Sequence, residues 1–205
     1  MASTIYPIVL AAGLSHRFGS DKLVASLGEK PVLAHVLHVI SQARDADLLA
    51  GGVVITGPHS PLLDSMIAAS GLERLTNPDP ASGLSHSLLL GLGLLADRYP
   101  QADGALVCAG DQPGIRLSTI EAIVTKWLRN ETPVVRPRYL AEKEVPGHPV
   151  LIGRDVWKLA SALQGDVGFG AILKKYPELV TTVDIPGPNP DIDTPDDLRR
   201  FAEPL

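Results

Sequence analysis

Residues 9–24 read VLAAGLSHRFGSDKLV, and this stretch decides the fold. The apolar run 5–10 (IYPIVL) that leads into it reads as a first strand buried on both faces. In an open α/β sheet, ligands sit beyond the carboxyl ends of the strands. The loop 11–22 falls at that place. Gly13 and Gly19 let the backbone turn tightly and point N–H groups at an anion. Arg17 can fork onto phosphate oxygens, and Lys22 offers a compact point charge. Two common phosphate cradles are excluded. A P-loop needs its lysine directly after the second glycine, but Ser20 and Asp21 intervene here. The dinucleotide pattern G-x-G-x-x-G fails because Leu14 and Ser15 follow Gly13. From these residues alone the loop is a third kind of phosphate cradle, or a plain strand-to-helix connection with surface cations.

Outward from this loop, short apolar runs alternate with helical patterns. Leu33, Val36, Leu37 and Ile40 share one helix face. GGVVIT (51–56) reads as a second strand, 61–69 as a helix and 72–76 as a short extended piece. Leu84, Leu88, Leu92 and Leu95 form another helical stripe, and GALVCA (104–109) a clear strand. Ser118, with Glu121 three residues on, predicts a capping box opening a helix whose core face is Ile120, Ile123, Val124, Trp127 and Leu128. Beyond Pro133 come extended pieces at 133–138 and 148–152, helices near 155–163 and 169–175, and a strand at 180–185. Thr194 and Pro195 start a last helix, with Asp196 and Asp197 at its favourable N-terminal end. Alternating strands and helices predict a three-layer α/β sheet, mostly parallel. One domain over 1–205 is expected, with 133–147 as an insertion or lid.

The totals narrow the function. The chain has 205 residues, 45% hydrophobic and 20% charged, which is ordinary globular usage. A formal net charge of -5 disfavours binding to nucleic acid. The single cysteine, Cys108, allows no internal disulfide and fits a reducing cytoplasm. The N-terminus lacks the basic and apolar segments of a secretory signal, and GLSHSLLLGLGLLA (83–96) is too short to span a bilayer, so no membrane association is expected.

The full string LAAGLSHRFGSDK (10–22) resembles the signature of the MobA-like nucleotidyltransferases, L-A-[AG]-G-x-S-x-R-[MF]-G-x-x-K, at Leu10, Ala11, Ala12, Gly13, Ser15, Arg17, Phe18, Gly19 and Lys22. GLSHSLLLG resembles the family's nucleotide-binding segment, with Gly83, Ser87 and Gly91 in place. AGDQP resembles its acidic turn, and DIDTPDDL its closing motif. GHPVLI and QGDVGFGAIL are similar to acceptor-side segments of one branch, the molybdenum cofactor cytidylyltransferases. The resemblance runs from about Tyr6 to Phe201.

It implies a Rossmann-like three-layer α/β/α sandwich of the nucleotide-diphospho-sugar transferase type. It also implies transfer of a nucleoside monophosphate from an NTP to an anionic acceptor, with release of pyrophosphate. In the branch, CTP is the donor and a molybdopterin-type compound the acceptor, which also makes a molybdoenzyme a partner. By the same resemblance Asp111 and Asp193 are the magnesium ligands, Asp111 also being catalytic with Arg17 and Lys22. Leu10, Ala11, Ala12, Gly13, Ser15, Gly19, Gly83 and Ser87 line the nucleotide, while His148 and Asp166 face the acceptor. Guanylyl members read L-A-G-G and cytidylyl members L-A-A-G, so Ala12 points to cytosine, where its methyl group leaves less room for a purine. Where the branch has Gly-Ala-Arg, this chain has Gly168, Phe169 and Gly170, without an arginine to hold the acceptor's anionic group. A different phosphorylated or alcohol acceptor, and a non-catalytic nucleotide-binding accessory protein for a molybdoenzyme, are the competing readings.

Other residues carry plainer roles. Cys108 lies in an expected buried strand and reads as a small core hydrophobe. His35 and His38 share a helix without an evident third ligand for zinc. His16 stands at a variable, exposed position of the loop. Asp191 is a weaker metal candidate than Asp193, and both could instead cap the last helix.

Overall fold

The structure, a computed structural model, describes residues 4–58, 61–129, 131–141 and 147–202. In chain order it runs β1 (Ile5–Ala11), β2 (Ser26–Leu27), β3 (Lys30–Pro31), α1 (Val32–Asp45), β4 (Val53–Thr56), α2 (Pro61–Ser70) and β5 (Glu73–Thr76). It continues through α3 (Leu84–Arg98), β6 (Gly104–Ala109), α4 (Leu117–Trp127), β7 (Val134–Tyr139), β8 (Val150–Gly153), α5 (Gly170–Lys175), β9 (Val180–Ile185) and α6 (Pro195–Ala202).

The side-chain period of two splits β1 between two cores. Ile5, Val9 and Ala11 join one apolar cluster with Leu33, Val36, Leu37 and Ile40 of α1 and Ile120, Ile123 and Val124 of α4. Tyr6 and Ile8 join another with Leu88, Leu92 and Leu95 of α3 and Ile172 and Leu173 of α5. A strand covered on both faces has no polar side, which is why IYPIVL shows no alternation. Helices therefore lie on both faces of a seven-stranded sheet ordered β5-β4-β1-β6-β8-β7-β9. This is the expected three-layer sandwich.

The sheet is parallel except at β8, which runs antiparallel to both β6 and β7. That inversion matters for the site. Leu10 of β1 lies beside Ala109 of β6, so both strands finish at one edge. Val150 at the start of β8 pairs with Val107 near the end of β6, so the residues just before β8 reach the same edge.

Two local expectations are corrected. Ser118 does not cap α4, which begins at Leu117 after an extended Arg116 and has no side-chain cap. Leu117 packs on the core and Thr119 is buried, so packing sets this boundary over the capping preference. Residues Arg154–Ala162 form 3-10 turns where an α-helix was expected, held against β8 by the Trp157 indole N–H, which donates to the Ile152 carbonyl at 2.9 Å. The small hairpin β2–β3 has no counterpart in the periodicity. The region 133–147, expected as an insertion or lid, begins as β7, a sheet strand; its residues 142–146 lie outside the described residues. Among the described residues no helix is long and apolar enough to cross a membrane.

Candidate active site

Residues far apart in sequence meet at the carboxyl edge of β1 and β6. The Lys22 ammonium lies 2.7 Å from Asp111 Oδ2 and 2.8 Å from Asp193 Oδ1. Arg17 Nη2 lies 2.8 Å from Asp193 Oδ2. Lys22 is 9% exposed, whereas the Arg17 side chain is largely in solvent. Burial alone would lower the Lys22 pKa, but the charge of Asp111 and the hydrogen bonds to Asp111 and Asp193 outweigh it, and the net shift is upward. The ammonium is thus held charged between two carboxylates. Because Arg17 is exposed, its ion pair contributes at most about 1 kcal/mol.

Each side chain is placed by a local device. Ser15 at φ +51 and Gly19 at φ +80 turn the loop, and the N–H groups of Phe18 and Gly19 donate to the Ser15 carbonyl. Glycine at 19 answers that left-handed backbone. Gly13 is different: a Cβ there would meet nothing within 4 Å, so no chain neighbour demands its glycine. Asp21 accepts from the Leu23 N–H at 3.1 Å and opens the short 3-10 turn that carries Lys22. Asp111 follows β6 directly. Its carbonyl accepts from the Ile192 N–H at 2.9 Å, which ties the late loop to the strand end. Ile192 is fully buried with Leu27 and Val32, and Phe18 packs on the same small cluster. The unexpected hairpin therefore clamps the glycine-rich loop and the Asp193 loop together. Thr194 and Asp197 then cap α6 reciprocally: Thr194 N–H donates to Asp197 Oδ2 at 2.8 Å and Asp197 N–H to Thr194 Oγ1 at 3.2 Å. Neither Asp191 nor Asp193 serves as that cap.

Of the other expected site residues, Leu10, Ala11 and Ala12 form the end of β1 and its exit, with Ala11 and Ala12 buried. Gly83 sits at φ +88 against the backbone of Gly165 and Asp166, and the Ser85 N–H and hydroxyl both donate to the Gly165 carbonyl. Ser87 is buried, its hydroxyl accepting from Asn77 Nδ2 at 2.9 Å. Asp166 is exposed beside Gly83. His148 is half-buried, with Nδ1 3.1 Å from the Val107 carbonyl. Desolvation holds its pKa below the usual histidine range, and the nearby charge of Arg136 acts in the same direction.

Sequence reading missed a second polar layer behind Asp111. Gln112 Nε2 donates to Asp191 Oδ1 at 2.7 Å, and Asn189 Nδ2 reaches Gln112 Oε1 and the Tyr139 hydroxyl, each at 3.1 Å. The available signal was Gln112 directly after Asp111 and Asn189 two residues before Asp191. Cys108 is buried in β6, and burial pushes its thiol pKa well up, so it is inert there.

The carboxyl edge of the sheet thus gathers Arg17 and Lys22 against two carboxylates. The MobA-like NTP transferase domain matches residues 7–183, and the chain belongs to that family. A probable molybdenum cofactor guanylyltransferase of Pyrococcus horikoshii is 28% identical over 134 residues, 64% of this chain and 60% of its own length. A probable molybdenum cofactor guanylyltransferase of Mycobacterium ulcerans is 30% identical over 138 residues, 66% of this chain and 63% of its own. The matches thus span about three-fifths of these curated relatives. Among solved structures, Rv0371c of Mycobacterium tuberculosis H37Rv superimposes with a TM-score of 0.79 at 26% identity, over 98% of both chains. Its complex with manganese gives 0.79 at 27%, over 98% of this chain and 99% of that one.

Proposed function

We propose that the protein transfers CMP from CTP to a molybdopterin-type acceptor, releasing pyrophosphate. One observation carries the reaction type: the buried Lys22 ammonium bound by Asp111 and Asp193, with Arg17 alongside. Such a site needs no protein nucleophile. An oxygen of the acceptor's phosphate attacks the α-phosphorus, the bond to the β-phosphate oxygen breaks, and pyrophosphate leaves with its electrons. The chain's task is alignment and charge compensation. Lys22 faces the α-phosphate or the departing pyrophosphate, and Arg17 the β- and γ-phosphates. Leu10, Ala11, Ala12, Gly13, Ser15, Gly19, Gly83 and Ser87 shape the nucleotide side, with Ser87 acting through its bond to Asn77. His148 and Asp166 belong to the acceptor side.

The donor set fits a hard divalent cation. Two carboxylates already converge on one positive centre, the Lys22 ammonium, and all the converging atoms are oxygens. Asp111 and Asp193 would hold Mg²⁺ or Mn²⁺, which when bound offsets charge on the transferring phosphoryl group. Manganese in the complex of Rv0371c is in keeping with this.

Ala12 supports CTP as donor, since its buried methyl group takes space next to the expected base position. GTP is the second reading, favoured by the guanylyltransferase names of the relatives. Pyrophosphate release from each NTP, with Mg²⁺ or Mn²⁺ and a molybdenum-bound pterin, separates them. Release with CTP only when the pterin is present is expected. Preference for GTP, or release only with a different acceptor, overturns the corresponding half. Asp111→Ala should abolish release while the far-UV spectrum stays native; an unchanged rate removes Asp111 from the site.

A further inference from the structure

We propose that Gln112 is a positioning residue for the transfer: its carboxamide, oriented by Asn189 and Tyr139, fixes Asp191 and with it the loop that delivers Asp193 to Lys22. This rests on the reaction type proposed above and gives a task to the polar layer behind Asp111.

The layer lies where four segments meet. Gln112 follows Asp111 after β6, Tyr139 ends β7, His148 stands just before β8, and Asn189 opens the stretch that carries Asp193. Tyr139, Asn189 and Gln112 are all buried, where polar groups are costly unless they are bonded. Their bonds have one consistent direction. The His148 carbonyl only accepts, so the Tyr139 hydroxyl donates to it at 2.8 Å. The Tyr139 oxygen then accepts in turn, from the Asn189 amide nitrogen at 3.1 Å. The same nitrogen, 3.3 Å from the His148 carbonyl, donates to Gln112 Oε1 at 3.1 Å. Gln112 is thereby turned with its nitrogen toward Asp191, and Nε2 donates to Asp191 Oδ1 at 2.7 Å. A carboxylate only accepts, so both ends of the chain agree on how each amide is turned. Close packing holds the members in place: a Cβ on Gly147 would come within 3.1 Å of the Tyr139 ring, and one on Gly114 within 3.0 Å of Asn189 Oδ1.

The consequence lies at the far end of the chain. Asp191 is exposed, so packing does little to hold its side chain, and the Gln112 bond supplies the restraint. Asn189 is anchored to the same glutamine two residues earlier, and Pro190 between them fixes one backbone angle. One residue later the Ile192 N–H donates to the Asp111 carbonyl at 2.9 Å. Residues 189–192 are thus bonded along their length to 111–112. The next residue is Asp193, whose two oxygens meet Lys22 and Arg17 at 2.8 Å each. The amide is also neutral. It holds Asp191 without using an ammonium or a guanidinium, which leaves Lys22 and Arg17 to Asp111, Asp193 and the phosphates. A residue of this kind touches no substrate and acts on rate through alignment, where a small misplacement costs about 10²-fold.

Pyrophosphate release by the full chain, from whichever NTP it uses, tests this through a double-mutant cycle. Gln112→Leu keeps the approximate size of the side chain and loses both amide bonds. It should lower kcat about 10–100-fold and leave the KM for the NTP within about twofold. Asp191→Ala should do the same, and the double variant should be no slower than either, because one residue acts through the other. Asp191→Asn keeps an oxygen for Gln112 Nε2 and should hold kcat within about threefold of the parent. A second readout needs no turnover. In ¹⁵N spectra the Gln112 side-chain NH₂ protons should lie downfield, move back toward ordinary amide positions in Asp191→Ala, and stay displaced in Asp191→Asn. An unchanged kcat in Gln112→Leu, additive losses in the double variant, Asp191→Asn as slow as Asp191→Ala, or an NH₂ signal unmoved by Asp191→Ala overturns the assignment. Should Gln112→Leu not fold, the two variants of the exposed Asp191 decide it. Absence of pyrophosphate from every NTP counts against the reaction and not against the hold of Gln112 on Asp191, which the amide signals read alone.

Discussion

The Lys22 ammonium works as a resident cation. Held between Asp111 and Asp193, it neutralises two carboxylates that would otherwise repel one another. Removing the Lys22 ammonium leaves two partly exposed carboxylates facing one another uncompensated, at a cost of about 1–3 kcal/mol. Lys22→Met should therefore lose thermal stability and lower kcat for pyrophosphate release by about 10²–10³-fold, the size expected for a lost electrostatic contact to a transition state. Added Mn²⁺ should raise the melting temperature of Lys22→Met more than that of the parent, because no ammonium then competes for the carboxylates; an equal rise in both would count against a shared cation position. All members of this cluster were legible in the sequence as residue types within motifs. Their meeting was not, because Lys22 and Asp193 lie 171 positions apart and no local preference speaks for that contact.

At the scale of elements, the glycines divide into those the fold demands and those it tolerates. Gly83 has φ +88 and ψ −175, a region almost closed to other residues, and a Cβ there would come within 2.3 Å of the Gly165 carbonyl carbon. Gly83→Ala should cost about 3 kcal/mol or more and push the 165–170 loop away from α3, read as a fall in melting temperature of roughly 6–12 °C and weaker nucleotide binding. Gly93, inside α3, is the contrast. A Cβ there meets nothing within 4 Å, so Gly93→Ala should be neutral or stabilise by about 0.5–1 kcal/mol. Boundaries of elements were read well where burial is periodic, as at Val180–Ile185, and poorly where packing overrode a cap, as at Ser118.

For the whole molecule, acid should act through His148. Its folded pKa lies below the unfolded value of about 6.5, chiefly because the ring is desolvated, with Arg136 opposing the charge and the Val107 carbonyl, Asp191 and Asp111 favouring it. The unfolded chain then binds a proton that the folded chain refuses. This contribution to stability is full above about pH 6.5–7 and is lost as pH falls through the unfolded pKa. Urea titrations at pH 7.5 and pH 5 should show the drop, and His148→Asn should flatten it; an unchanged pH dependence in that variant would assign the drop to other groups.

The sequence by itself determined the alternation of strands and helices, the place of the glycine-rich loop after the first strand, and the chemical types of the residues that gather there. Those follow from backbone preferences and from apolar spacing, both local properties. Only the tertiary structure decided that β8 runs antiparallel and so brings His148 to the site's edge. It alone set Ile192 beneath Phe18, closing Asp193 onto Lys22. Such contacts arise where distant segments share one buried volume, and no window of the chain contains both partners.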